Sequence, residues 1–148
     1  MTAPSRKIED LCPAMQPLCL QFQADCKAAG VLVLITCTWR SYACQAELYA
    51  QGRTQAQVDA AGVRATAQPG KPKVTNAKPG QSRHEVTLNG KPYAKAFDFV
   101  PLDARGAAIW DAKNPAWAKC GAIAQRLGLD WGGAWTGFKD MPHCQLKA

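Results

Sequence analysis

Between residues 14 and 29 the apolar positions Met15, Cys19, Phe22, Cys26 and Ala29 recur at steps of four and three, which places them on one stripe of an α-helix. Pro17 is tolerated in the first turn, where its missing N–H is not needed, and Gly30 supplies a stop. The run that follows, "VLVLITCTW", is continuous rather than periodic and rich in β-branched residues, so it predicts a buried strand. Polar residues then punctuate two short helices. Ser41 can cap one over 42–51, ended by Gly52, and Thr54 with Gln57 forms a capping box for one over 55–61, ended by Gly62.

From Val63 to Ser82 the pattern dissolves into Pro, Gly, Lys and Thr, a loop long enough to expect a function for it. "HEVTL" and "YAKAFDFV" flank "NGKP", and Asn89-Gly90 between extended segments predicts a hairpin. On that reading His84 begins one strand and Asp98 ends its partner. Asn114 as cap and Pro115 at the first helical position open a helix through Leu127, with Gly128 beyond it. The tail is rich in Gly and aromatic residues and ends in a short strand-like piece. Helices and antiparallel strands without a βαβ rhythm predict an α+β fold, a small antiparallel sheet with flanking helices. No internal repeat or linker divides residues 1–148, so one domain is expected.

Composition adds a sign and removes some classes. Lys and Arg total 18 against 11 Asp and Glu, a formal charge of +7, which favours an anionic partner. No basic stretch with interleaved aromatics and no zinc-finger, helix-turn-helix or RNP-type pattern occurs, so nucleic acid is not the expected partner. "GVLVLI" is too short to span a bilayer, and the first residues lack an unbroken apolar segment of the secretory kind. Seven cysteines, an odd number with no CxxC pair, read as reduced and mostly buried thiols rather than a disulfide framework.

The chain has two histidines, His84 and His143. A zinc hydrolase needs three ligands from His and carboxylate side chains, an open fourth position and a separate carboxylate to move a proton. His84, Asp98 and His143 with Asp140 could meet that need. In a regular strand Asp140 and His143 would point to opposite faces, so "DMPH" must bend, which Pro142 favours. Glu85 should face away from His84 on a strand. Two His and two Asp spread along a chain also suit ordinary hydrogen bonding, and Arg40 could simply pair with Glu47. Residue types and spacing leave these alternatives open.

Three blocks narrow them: "TWRSYACQAELYAQGRT", "SRH…AFDF" and "WGGAWTGFKDMPHCQ". In this order they resemble the signature blocks of the phage and bacterial L-alanyl-D-glutamate peptidases. Those belong with the VanY-type D-alanyl-D-alanine carboxypeptidases in the zinc-dependent M15 peptidase family. The resemblance implies one zinc ion held by His84, Asp98 and His143, Asp140 as the catalytic carboxylate, Arg40 beside the scissile peptide, and Ser82 and Gln45 as supporting pocket residues. It implies a zinc endopeptidase that cuts the L-Ala–D-Glu bond of the peptidoglycan stem and acts as an endolysin in bacterial lysis. The expected setting is synthesis in a host cytoplasm, later action on the wall, attraction to anionic envelope polymers, a monomeric state, no membrane insertion and no separate wall-binding domain. The alternatives are a D-Ala-D-Ala carboxypeptidase on the same scaffold and a non-catalytic, zinc-stabilised wall-binding module. Two departures stand out. Thirteen residues separate His84 from Asp98, about twice the family's usual spacing, which suggests an inserted hairpin able to alter the cleft wall. Cys144 stands where an aromatic residue is common, and its neighbour's alternation predicts that it packs inward.

Overall fold

A computed structural model describes residues 3–147. Helix α1 (Met15–Ala28) leads into strand β1 (Val33–Cys37), and two short helices follow, α2 (Tyr42–Ala50) and α3 (Gln55–Ala60). A hairpin, β2 (Thr87–Leu88) and β3 (Lys91–Pro92), precedes β4 (Ala96–Pro101). Helix α4 (Pro115–Arg126), β5 (Leu129–Trp131) and β6 (His143–Leu146) complete the chain. The main sheet is antiparallel in the order β1-β4-β6-β5, so the expected α+β architecture is the observed one.

The caps explain where the helices begin. Ser41 Oγ accepts from the Cys44 N–H, Thr54 and Gln57 form the reciprocal box, and Asn114 accepts from the Ala116 N–H ahead of Pro115. On α1 the predicted stripe is buried at Met15, Cys19, Phe22 and Cys26, but Ala29 lies past the last turn and is exposed. Strand β1 also departs from expectation. It is an edge strand, and Leu34 is 42% exposed while Ile35 and Cys37 are buried. A continuous apolar run does not distinguish an edge strand from a central one, because the pairing on its second side is a tertiary matter.

One face of the sheet carries the core. Phe97 and Phe99 of β4 project onto Phe22 of α1 at ring separations of 5.3 and 4.9 Å, and Phe99 also meets Trp117 of α4 at 5.3 Å. All seven cysteines are free and buried, and Cys144 is packed in this core as expected. The opposite face is polar, and residues 63–82, which form no regular helix or strand, run beside it.

Candidate metal centre

Period-two alternation decides which side chains meet on the polar face. Asp98 lies between the two core-facing phenylalanines of β4, and His143 and Gln145 flank the core-facing Cys144 on β6. The register sets Asp98 opposite His143 on one side and opposite Cys37 on the other. An irregularity between Ile35 and Cys37 turns the end of β1 so that Cys37 joins this face.

His84 arrives by another route. It sits within a 3-10 turn, Arg83–Glu85, and not at the start of a strand. Ser82 Oγ accepts from the His84 N–H at 3.2 Å, and the Glu85 carboxylate accepts from the N–H groups of Ser82 and Gly80 at 3.2 and 2.8 Å. The hairpin is therefore shorter than predicted. Asn89 and Gly90 take positive φ at its tip, and the Tyr93 N–H closes it onto the Val86 carbonyl at 2.8 Å, short of both His84 and Asp98. Asp98 falls mid-strand, so the two residues do not face each other across the hairpin ladder. Nor does the hairpin wall the cavity beside them, which corrects the expectation for the insertion.

Three atoms nevertheless converge. His84 Nε2 lies 3.1 Å from Asp98 Oδ1 and 3.3 Å from His143 Nδ1, and that Nδ1 lies 3.4 Å from the same Oδ1. The other ring nitrogens fix the tautomers. His84 Nδ1 is 2.9 Å from the Thr38 carbonyl oxygen, which only accepts, so the proton resides there. His143 Nε2 is 2.8 Å from Gln145 Oε1, whose amide nitrogen is directed to Asp130, so it carries the second proton. Two imidazole lone pairs and a carboxylate oxygen then point at one another. Such a trio repels unless a proton or a cation stands among them. A tetrahedral zinc site with bonds of ~2.0–2.1 Å holds its ligand atoms roughly 3.3 Å apart, and this donor set has that spacing. The residues fit a divalent cation.

The electrostatics follow from burial and neighbours. Burial pushes His84 below the ordinary imidazole range. It acts on His143 in the same sense, but the hydrogen bond and charge of Asp98 outweigh it and raise that imidazole. Burial opposes charge on Asp98 as well, yet both imidazoles and Arg40 hold its carboxyl well below the usual range. Asp140 is pushed up to about 6 by burial and by the charge of Asp98. Its carboxylate stands 4.0 Å from His143. The predicted bend is present: the His143 N–H donates to the Asp140 carbonyl at 3.1 Å, so the backbone closes the turn. A carboxyl poised there can take and return a proton near neutral pH.

Arg40 pairs with Asp98 and not with Glu47. One guanidinium nitrogen donates to Asp98 Oδ2 at 3.1 Å and another to Gln45 Oε1 at 3.2 Å, while Nε has no partner among the described residues. Gln45 is 1% exposed and does not line the cavity, contrary to its expected place. Its amide nitrogen instead holds the Ala77 carbonyl at 2.8 Å, tying the long loop to Arg40. Ser82 both lines the cavity and caps the turn under His84. The cavity is about 550 Å³ and is lined by Arg40, His84, Asp98, Asp140 and His143, with Val74–Ala77, Trp135 and Phe138 as walls. Glu85, spent on the cap, is not part of it.

Sequence reasoning missed Cys37, Thr38 and Gly132. Cys37 Sγ lies 3.6 Å from His84 Nδ1, and one ligand atom each from Cys37, His84 and Asp98 falls within 4.8 Å. Burial pushes this thiol up to about 12, so at neutral pH it is protonated, beside the ring nitrogen that already serves Thr38. Gly132 touches Asp140: a Cβ there would come 2.2 Å from the Asp140 carbonyl oxygen. The Gly-Gly pair in the third block was the available signal for that approach.

Known proteins complete the picture. Family models described as D-alanyl-D-alanine carboxypeptidase match residues 9–99 and 75–146. The peptidoglycan L-alanyl-D-glutamate endopeptidase CwlK of Bacillus subtilis (strain 168) is 32% identical over 144 residues, 93% of this chain and 74% of that protein. The chain belongs to the M15 peptidase family. As an M15 metallopeptidase it requires a metal, consistent with the donor set above. The L-alanyl-D-glutamate peptidase of Listeria phage A118 is 42% identical over a shorter stretch, 55 residues, or 36% of this M15 chain and 19% of the phage protein. The crystal structure of the Serratia marcescens L-Ala D-Glu endopeptidase ChiX shares the fold, with a TM-score of 0.56 at 20% identity over 95% of this chain and 83% of that one.

Proposed function

We propose that this M15 peptidase is a zinc endopeptidase cleaving the L-Ala–D-Glu bond of the peptidoglycan stem, with His84, Asp98 and His143 as metal ligands. The observation that carries the reading is the triangle of converging lone pairs with Asp140 beside it in one cavity. The choice of bond is supported by the L-alanyl-D-glutamate endopeptidase activity of the Bacillus subtilis relative, matched over 93% of this chain. When bound, zinc with an open fourth position supplies Lewis acidity to a water and to the substrate carbonyl.

The protein's own groups do the rest. Thr38 and Gln145 hold the two imidazoles in the tautomers that direct lone pairs inward. Arg40 takes the second oxygen of Asp98, leaving Oδ1 for the metal, and sets a permanent positive charge in the cavity floor. That charge suits a stem peptide bearing free carboxylates. Asp140 accepts a proton from the attacking water and returns it to the leaving amine. The chain acts on the wall, and its net charge of +7 adds attraction to anionic envelope polymers.

Digestion of purified sacculi tests this, with mass analysis of the released peptides. The expected result is loss of the stem from a glycan-linked L-Ala, blocked by chelator and restored by zinc. Release of a single terminal D-Ala would replace the endopeptidase reading with the carboxypeptidase one. Asp140→Ala should lower the rate by roughly two to four orders of magnitude and leave the zinc content intact. Retained lysis would remove Asp140 from its role.

A further inference from the structure

A second hollow, of about 340 Å³, shares Ser82 with the catalytic cavity. Its walls include Trp39, Tyr42, Glu85 and Thr87. Val86 and Thr87 belong to the segment that lengthens the His84–Asp98 spacing, so the inserted hairpin builds this hollow and not the cavity. Trp39 is pinned to the hairpin root, its indole N–H donating to the Val86 carbonyl at 3.2 Å. Tyr42 opens α2 and is 63% exposed, and its ring edge lies near Gly80.

The lining has a definite chemistry. It offers two aromatic side chains, the hydroxyls of Ser41, Ser82 and Thr87, and the carboxylate of Glu85, held by the two N–H groups that donate to it. It contains no Lys or Arg, although the chain carries 18 of them. An anionic ligand such as the distal stem would be poorly served here. A neutral ring with a C–H face, hydroxyls and an amide is well served: the face stacks on the aromatic rings and the hydroxyls donate to the carboxylate. We propose that this hollow is a sugar subsite, taking the N-acetylated sugar that carries the stem entering the cavity. It rests on the endopeptidase reading, in which the cleaved bond lies one amino acid from that sugar.

The test compares kcat/KM for a free stem peptide and for the same peptide bearing its N-acetylated disaccharide. The glycosylated substrate should be favoured about tenfold, the scale of one good stacking contact. Tyr42→Ala should bring the ratio close to one, and Tyr42→Phe, which keeps the ring, should preserve it. Equal rates in the unmodified protein, or a ratio unchanged by Tyr42→Ala, overturn the subsite. A second measurement does not depend on turnover: Asp140→Ala protein titrated with the disaccharide alone should shift the Trp39 indole resonance, and Tyr42→Ala in that background should abolish the shift. Absence of that shift overturns the subsite. If neither peptide is cut while the disaccharide still binds, the endopeptidase reading fails and the sugar site stands.

Discussion

Single residues here act through what they allow a neighbour to do. Gly132 has no side chain because the Asp140 carbonyl occupies that space, and the Asp140 N–H donates to the Gly132 carbonyl at 3.0 Å. Gly132→Ala must therefore displace Asp140, and the expected result is a loss of hydrolysis of at least tenfold with zinc content retained, measured by turnover and metal analysis. Gly121 is constrained differently: a Cβ would meet the Trp131 ring at 2.3 Å inside the core. Gly121→Ala should cost about 1–3 kcal/mol in a denaturant melt, as overpacking does. The chemistry-bearing residue types could be read from the chain, as could the need for a bend before His143. The tautomer-fixing Thr38 carbonyl could not, because a backbone acceptor leaves no trace in residue identity.

At the scale of elements, capping signals were the most legible, since Ser41, Thr54 and Asn114 act on N–H groups two or three residues away. Strand pairing was the least legible. The turn at Asn89-Gly90 was correctly placed, but its ladder ends at the Val86–Tyr93 bond, and a second capping box carries His84 instead. "SRHE" has the Ser and Glu of such a box, and only a strand expectation hid it. This device makes Glu85 a positioning residue. Glu85→Ala frees the N–H groups of Gly80 and Ser82 and loosens the turn, so zinc affinity should fall by roughly 10–100-fold, as for other groups that orient a ligand. Glu85→Gln keeps one accepting oxygen and can hold only one of the two N–H groups, so it should recover part of the loss. Thr54→Ala breaks an equivalent box on α3 and should cost about 1 kcal/mol of stability without changing zinc affinity. Metal titration of the three variants separates a cap that serves the site from one that serves only a helix.

The whole molecule divides its labour between the two faces of one sheet. Phe22, Phe97, Phe99 and Trp117 hold β4 to the helices on one side, and the same strands present Asp98 and His143 on the other. The proposed ligands thus ride on elements whose packing does not depend on a cation. His84 is likewise held by its cap and by the Arg40 N–H, which donates to its carbonyl at 3.1 Å. A metal that organised the fold would instead be expected to leave an unfolded chain when withdrawn. Here chelation should abolish hydrolysis while the far-UV circular dichroism spectrum stays native. Loss of a ligand present at 100 to 1,000 times its Kd removes about 3–4 kcal/mol, a Tm drop of roughly 5–15 °C for a chain of this size. Re-addition of zinc should restore activity and Tm together. Cooperative unfolding on chelation at room temperature would assign the cation a structural role, and the separation of the two faces would then not describe how this protein is held together.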